Sequence, residues 1–322
     1  MTTGDELGVA LASVIRAGVP GFDVVDLLSA PGFKIGRDER NAVVLLTPPD
    51  TNPEPPTELR RIALAPRIRL AIRFSNGVVE EGDYGLLQLK LGESEYLVPF
   101  LHVVANLIHV IGPSPAPGEV SIAMRRLVKL FDLGPPPRSS VLGLWGELLV
   151  LCLSSDPGSM MDAWHASIDA KFDYAANASR LEVKTSTGLD RKHIFSLEQL
   201  LPVSGASSSV VSIMTTETLA GTSVEELIQR AQSLFTSDAS RQMRIHEIVA
   251  ETLGDEWARS IGRRFDEVQA VESLAVLSST AIPRVGEVPL GVTGVNFTSD
   301  CRAVAVELNP AGLAGLLSPQ SS

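Results

Sequence analysis

The sequence predicts a mixed α/β protein of more than one domain, and three observations carry that expectation. Strictly alternating stretches such as RIRLAIRF (67–74) are interspersed with stretches of helical period such as SVLGLWGELLVLCLSS (140–155). Proline-rich runs at 47–57, 112–119 and 134–140 punctuate those elements. The 322 residues exceed an average domain, and 44% hydrophobic with 20% charged residues suffices to bury a sizeable core.

In chain order, MTTGDELGVALASVIRAG reads as a short amphipathic helix, and Asp5 and Glu6 stand where a secretory signal would carry positive charge. Strands follow at 67–74 and around LLQLKLGESEYLVPF, where Gly92-Glu93 suggests a hairpin turn. This gives an α+β module over 1–118. Helices are expected in SIAMRRLVKLFDLG and from Ser140, strands around 162–173 and 180–186, a short helix from Ser196, and an apolar strand at 207–216. That core occupies 119–217. An extension over 218–322 opens with the helix SVEELIQRAQSLF, stays helical through 239–264 and ends on the strand RAVAVEL.

Charge and cysteine usage exclude several classes. A formal charge of −11 argues against coating nucleic acid through a whole-molecule field, although 119–202 is the least acidic part. Cys152 and Cys301 lack C-x-x-C or histidine spacing, so neither a disulfide framework nor a zinc site is indicated, and a cytoplasmic location is expected. The run YLVPFLHVVANLIHVIG is too short and too interrupted to span a bilayer, so no membrane partner is expected. There is no phosphate-binding G-x-x-x-x-G-K-[ST] loop and no G-x-S-x-G elbow, and His246-Glu247 lacks the second histidine of a zinc protease.

The stretch FDYAANASRLEVKTS (172–186) carries the candidate chemistry. Mg²⁺ needs hard oxygen ligands from two or more carboxylates, and Asp173 and Glu182 are candidates. Residues i and i+2 of a strand share a face, so Lys184 stands beside Glu182, placed to orient water and oppose phosphate charge. Leu181 and Val183 then turn to the core. An amphipathic edge strand explains LEVKT equally well. Glu147 lies at the edge of an apolar helix face, either as an ordinary boundary carboxylate or as a further acid of the site. Gln199, three residues after Ser196, either completes a capping box or reaches the site. Lys192 and His193 read as a phosphate contact and a base, or as a surface lysine and a neutral histidine entering a helix. Arg125, Arg126 and Lys129 form one helical edge, and Arg138, Arg180 and Arg191 are the other nearby cations; such groups also serve as solvated faces.

The order Glu147, Asp173, Glu182-Val183-Lys184, Gln199 resembles the PD-(D/E)XK nuclease superfamily. The segments GLWGELLVL, W…FDY…LEVKTS and HIFSLEQL are similar to the bacterial PD-(D/E)XK motif protein family, whose genes accompany phage-defence clusters. The motif block covers about 140–216. The resemblance implies an αβββαβ restriction-endonuclease-like core and a Mg²⁺-dependent DNA endonuclease, with Mn²⁺ as a substitute, belonging to a defence or restriction system. It implies Asp173, Glu182 and the Val183 carbonyl as metal ligands, Lys184 orienting water, Glu147 assisting the metal or its water shell, and Gln199 as auxiliary polar residue. It also implies DNA and protein partners, and a homodimer for cutting both strands. Phe172 replaces the proline of the name-giving motif. The alternative is an inactive nuclease-fold scaffold or DNA-binding subunit.

Overall fold

The computed structural model describes residues 2–59, 61–90, 96–131, 141–165, 171–188, 190–202, 205–254 and 257–317. The chain divides into two compact units, Met1–Pro137 with Phe235–Arg259, and Arg138–Leu234 with Ser260–Ser322. The divisions expected at 118 and 217 therefore differ from those of the fold, which assigns Glu119–Phe131 to the first unit and returns 235–259 to it.

In the first unit, α1 (Gly4–Ala12) starts at a capping box in which Thr3 and Glu6 satisfy each other's backbone N–H. Strands β1 (Phe22–Asp26), β2 (Lys34–Arg37), β3 (Val43–Thr47), β4 (Thr57–Glu58), β5 (Ile62–Phe74) and β6 (Val79–Leu89) form one sheet in the order β1-β2-β3-β6-β5-β4. A parallel β1–β5 pairing closes it on itself, leaving few free edges. A hairpin turn lies between β5 and β6 at Gly77 (φ 83°); the turn expected at Gly92-Glu93 lies outside the described residues. The apolar run after it forms the helix α2 (Leu97–Ile111) because it is buried over several turns rather than on alternate residues. Helix α3 (Glu119–Phe131) follows.

The second unit begins with α4 (Val141–Leu153), α5 (Pro157–Ala163), β7 (Tyr174–Ala176), β8 (Ser179–Ser186), β9 (Lys192–Ser196), α6 (Leu197–Leu200), β10 (Ser207–Met214), β11 (Glu217–Ser223) and α7 (Val224–Ser233). The chain then returns to the first unit as α8 (Ala239–Leu253), which packs on α2 and α3, and α9 (Trp257–Ser260), whose last residue already belongs to the second unit. The second unit is completed by β12 (Arg264–Phe265), α10 (Glu267–Ser273), β13 (Ala275–Ser278) and β14 (Asn296–Asp300).

Its central sheet runs β13-β10-β8-β7, with β8 and β10 parallel and β7–β8 a hairpin turned at Asn177 (φ 46°). The chain order α, β, β, β, α, β is present, with α5 inserted after α4. The third strand, β9, leaves the sheet and pairs antiparallel with β14 instead. Two expectations are corrected. Of the strand expected at 162–173, residues 162–163 end α5, Trp164 makes only an isolated bridge to Tyr174, and 166–170 lie outside the described residues; Asp156 caps α5 by accepting the Ser159 N–H at 3.0 Å with Pro157 at the first helical position. RAVAVEL contributes only an isolated Val306–Leu277 bridge, and the last strand is β14.

Helix α4 approaches β8 closely because residue 146 has no side chain. A Cβ there would stand 1.9 Å from Thr185 Oγ1 and 3.5 Å from Val183 Cγ1. Gly146→Ala is expected to destabilise the protein by about 1–3 kcal/mol, the usual cost of overpacking, read as a lower urea midpoint at unchanged slope.

Candidate active site

Strand β8 buries Leu181, Glu182 and Val183 and leaves Lys184 half-buried. The pleat sets Val183 and Thr185 toward Gly146 of α4 and puts Glu182 and Lys184 on the other face. There Lys184 Nζ lies 2.7 Å from Glu182 Oε1 and 5.4 Å from the centre of the Phe195 ring, which adds a cation–π contact.

Gln199 makes two contacts, one with each end of its amide. Its Oε1 accepts the Ser196 N–H at 3.0 Å, and its Nε2 donates to Glu182 Oε1 at 2.5 Å. Both contacts orient the amide the same way. Glu182 Oε2, by contrast, is buried with no hydrogen-bond partner among the described residues. A buried, unsatisfied carboxylate oxygen costs free energy that a cation would recover.

Asp173 precedes β7 at the open edge of β8. Its Oδ2 accepts the Val183 N–H at 2.7 Å. The N–H and C=O of a strand residue face the same edge, so the Val183 carbonyl is on the Asp173 side. Burial, then the charges of Glu182 and Glu147, push the Asp173 carboxyl well above the ordinary range. Glu182 is also raised, by burial first, against the opposing pull of Lys184.

Glu147 reaches the cluster from α4, 7% exposed. Its Oε2 accepts Trp164 Nε1–H at 2.8 Å and lies 2.9 Å from His165 Nε2, while its backbone carbonyl accepts the Tyr174 hydroxyl at 2.7 Å. All five sequence candidates, Glu147, Asp173, Glu182, Lys184 and Gln199, thus belong to one connected cluster. His165 and Trp164 were missed, although Trp164 and Asp173-Tyr174 belong to the quoted W…FDY segment. Their only signal was proximity in sequence to Asp173.

His193 is not a base in this cluster. It is buried, with Nε2 2.6 Å from the Ser212 hydroxyl, which also accepts from Arg191 at 2.7 Å. It lies on a strand rather than at a helix entry. Burial, with Arg191 and Lys184 nearby, pushes its pKa down to about 4. The folded state therefore holds it neutral while an unfolded chain takes up a proton near 6.5, so its contribution is full above about pH 6.5 and lost toward pH 4. The loss is on the order of 3 kcal/mol. Urea unfolding between pH 7 and 4 should show it, with a shallower fall in His193→Asn.

Several of the other cations singled out in the sequence are engaged within their own units. Lys192 pairs with Asp190, Arg125 with Glu54 and Arg126 with Glu247, and Arg180 donates to backbone carbonyls. Arg138 lies outside the described residues, as does the Lys129 side chain.

Chemically, the cluster offers converging carboxylates, a carbonyl, one amine and one imidazole. The carboxylates suit a hard divalent cation, and one ligand atom each from Glu147, His165 and Asp173 lie within 4.8 Å of one another. Among the described residues, no helix is long and apolar enough to cross a membrane. A family model described as “Putative PD-(D/E)XK family member (DUF4420)” matches residues 28–302. Neither the curated proteins nor the solved structures gave a match.

Proposed function

The chain belongs to this PD-(D/E)XK family, whose fold is nuclease-like, and on that premise we propose that it is a Mg²⁺-dependent DNA endonuclease of a bacterial phage-defence or restriction system. The observation that carries the reading is Glu182. Lys184 and Gln199 hold one of its oxygens, and the other is buried with no hydrogen-bond partner among the described residues.

In this reading Asp173, Glu182 and the Val183 carbonyl hold the cation. A bound divalent cation would acidify water and offset charge on the phosphate. Lys184 orients the attacking water and opposes the charge that builds on the phosphoryl oxygens. Gln199 holds Glu182 Oε1, which fixes the carboxylate and would leave its other oxygen for the cation. Glu147 orders the surrounding water from the opposite face. Trp164 and Tyr174 hold Glu147 by its carboxylate and its carbonyl, which limits its reach.

A second reading, an inactive scaffold or DNA-binding subunit that docks protein partners, is favoured by charge. The chain carries −11, and Arg230, Arg263 and Arg264 are each paired with a glutamate. The deciding experiment incubates the full chain with modified and unmodified DNA in Mg²⁺ or Mn²⁺, alone and with the products of neighbouring genes. Metal-dependent cleavage is expected, with double-strand cuts implying a homodimer. A chain inert on every DNA form under all these conditions is a scaffold.

A further inference from the structure

We propose that Arg191 is a positioning residue whose guanidinium binds a phosphate of the DNA strand next to the one under attack, and so sets the strand on Lys184. The proposal rests on the nuclease reading for its ligand, but it is defined by DNA binding alone.

The sheet brings Arg191 to Lys184. Ser212 of β10 is the register partner of Lys184 on the parallel strand β8, so both side chains stand on the face that carries Glu182, near the carboxyl ends of their strands. Arg191 lies across that end. Its Nη1 donates to the Ser212 carbonyl at 3.0 Å and to the Ser212 hydroxyl at 2.7 Å, and its Nη2 donates to the Ser273 carbonyl at 2.6 Å. Neighbouring strands are about 4.8 Å apart, so the guanidinium is anchored one strand away from the amine. Ligands of parallel sheets gather at this end of the strands.

Its charge has no counter-ion. Four other arginines of this unit, Arg230, Arg263, Arg264 and Arg302, each meet a carboxylate. Arg191 meets only neutral oxygens among the described residues. The adjacent acid, Asp190, is turned to Lys192 and Arg302 instead. Burial pulls the Arg191 pKa below its ordinary value, with no carboxylate to oppose it. A half-buried guanidinium that is held in place and left unneutralised is preorganised for an anion.

The surroundings keep the fork in place. His193 is buried and neutral, so its Nε2, 2.6 Å from the Ser212 hydroxyl, can accept that hydrogen and leave the oxygen's lone pairs to Arg191. Arg180 and Arg284 also donate only to carbonyls, but at the β7–β8 turn and at Leu200 of α6 rather than beside the register partner of Lys184. The Arg191 Nε–H makes no contact among the described residues, and a guanidinium offers its donors in a planar fork that matches a phosphate. Such contacts fix the register of a nucleic-acid strand without reading its sequence.

The test is fluorescence anisotropy of a labelled DNA duplex with the full chain in Ca²⁺, repeated over a range of salt, with cleavage followed separately in Mg²⁺. Arg191→Gln keeps an N–H donor for the Ser212 carbonyl but carries no charge. It should bind DNA about tenfold more weakly, as for loss of one hydrogen bond to a charged group. Its slope of log affinity against log salt should be shallower by about 0.9, the value for one neutralised phosphate on duplex DNA. An arginine that only braces the sheet would be rescued by the glutamine and would leave the slope unchanged. Arg191→Lys keeps the charge without the fork, so it should hold the wild-type slope at reduced affinity. It serves as the second variant should Arg191→Gln fail to fold, which a thermal melt reports. An unchanged slope in folded Arg191→Gln, wild-type affinity in Arg191→Lys, or a wild type that binds no DNA in Ca²⁺ overturns the proposal. DNA held through Arg191 without cleavage in Mg²⁺ removes the nuclease reading and leaves this one standing. Conversely, cleavage with an unchanged slope in Arg191→Gln removes this proposal and not the nuclease.

Discussion

Lys184→Ala is expected to lower the single-turnover rate of metal-dependent DNA cleavage by about a thousandfold, the upper range for loss of one preorganised charge donor. It should not lower Mg²⁺ affinity. Nζ lies 2.7 Å from Glu182 Oε1, so in the ion-free protein the amine neutralises part of the charge that would attract the cation. Removing it takes away a competitor for that charge, and isothermal titration should find Mg²⁺ binding equal or tighter. A merely structural lysine would behave differently. Its loss would weaken ion binding and cleavage together, because Glu182 would lose its orientation. Gln199 still donates to the same oxygen, so the rotamer should hold in the variant. Removing one partner of a buried pair usually costs about 3–5 kcal/mol. Here the cost should be smaller, because Glu182, already raised by burial, can take up a proton. A thermal melt of the variant checks that the fold survives. Lys184→Arg should not rescue the rate, since the larger planar fork cannot place a compact ammonium donor where Nζ stands 2.7 Å from Glu182 Oε1. A folded Lys184→Ala enzyme that keeps more than a tenth of its rate would rule out this role.

The parts of the site that were legible in the sequence are those set by short-range geometry. Glu182 and Lys184 share a face because a strand repeats every two residues, and Ser196 with Gln199 marks a helix start at any position in a fold. What the sequence could not decide was whether the capping glutamine also reached Glu182. The structure answers that one amide does both, through its two ends. The missed features depend on pairing between distant segments. β9 has the alternation of a sheet strand, yet its partner is β14, about a hundred residues later, and nothing local to KHIFS specifies that choice. His165 enters the site through a bridge between Trp164 and Tyr174, just after a helix whose last two residues fall in the stretch expected as a strand. The Asp156-Pro157 pair before GSMMDA is a helix-start signal that places α5. RAVAVEL shows the converse. Its alternation is strong, but without a neighbour along its length it makes a single bridge.

Asp173→Asn should have opposite effects on stability with and without a cation. In the ion-free protein the variant is expected to be more stable by about 1 kcal/mol at pH 7, a common gain when a functional group held in an unfavourable site is replaced. The wild-type carboxylate is forced toward two other acids, whereas the asparagine oxygen can still accept the Val183 N–H without their repulsion. The sign with pH follows from the raised carboxyl. A folded chain that holds its proton to higher pH than the unfolded chain binds more protons, so wild-type stability falls as pH rises from the ordinary carboxylate range near 3.8 through the folded value. The variant has no such group. Its advantage in EDTA should be small at pH 4 and grow toward pH 8, and urea midpoints of the two proteins across that range measure it. Adding the cation should reverse the order. An ion at a hundred times its dissociation constant stabilises the protein that binds it by about 2.7 kcal/mol, and only the wild type retains the Asp173 carboxylate as a ligand. Cation affinity and cleavage in the variant should both fall at least about a hundredfold, in line with the loss of a direct ligand exceeding the 10–100-fold cost of an outer one. If EDTA-treated wild type and variant have the same midpoint at pH 8, Asp173 is not a strained carboxylate awaiting a cation.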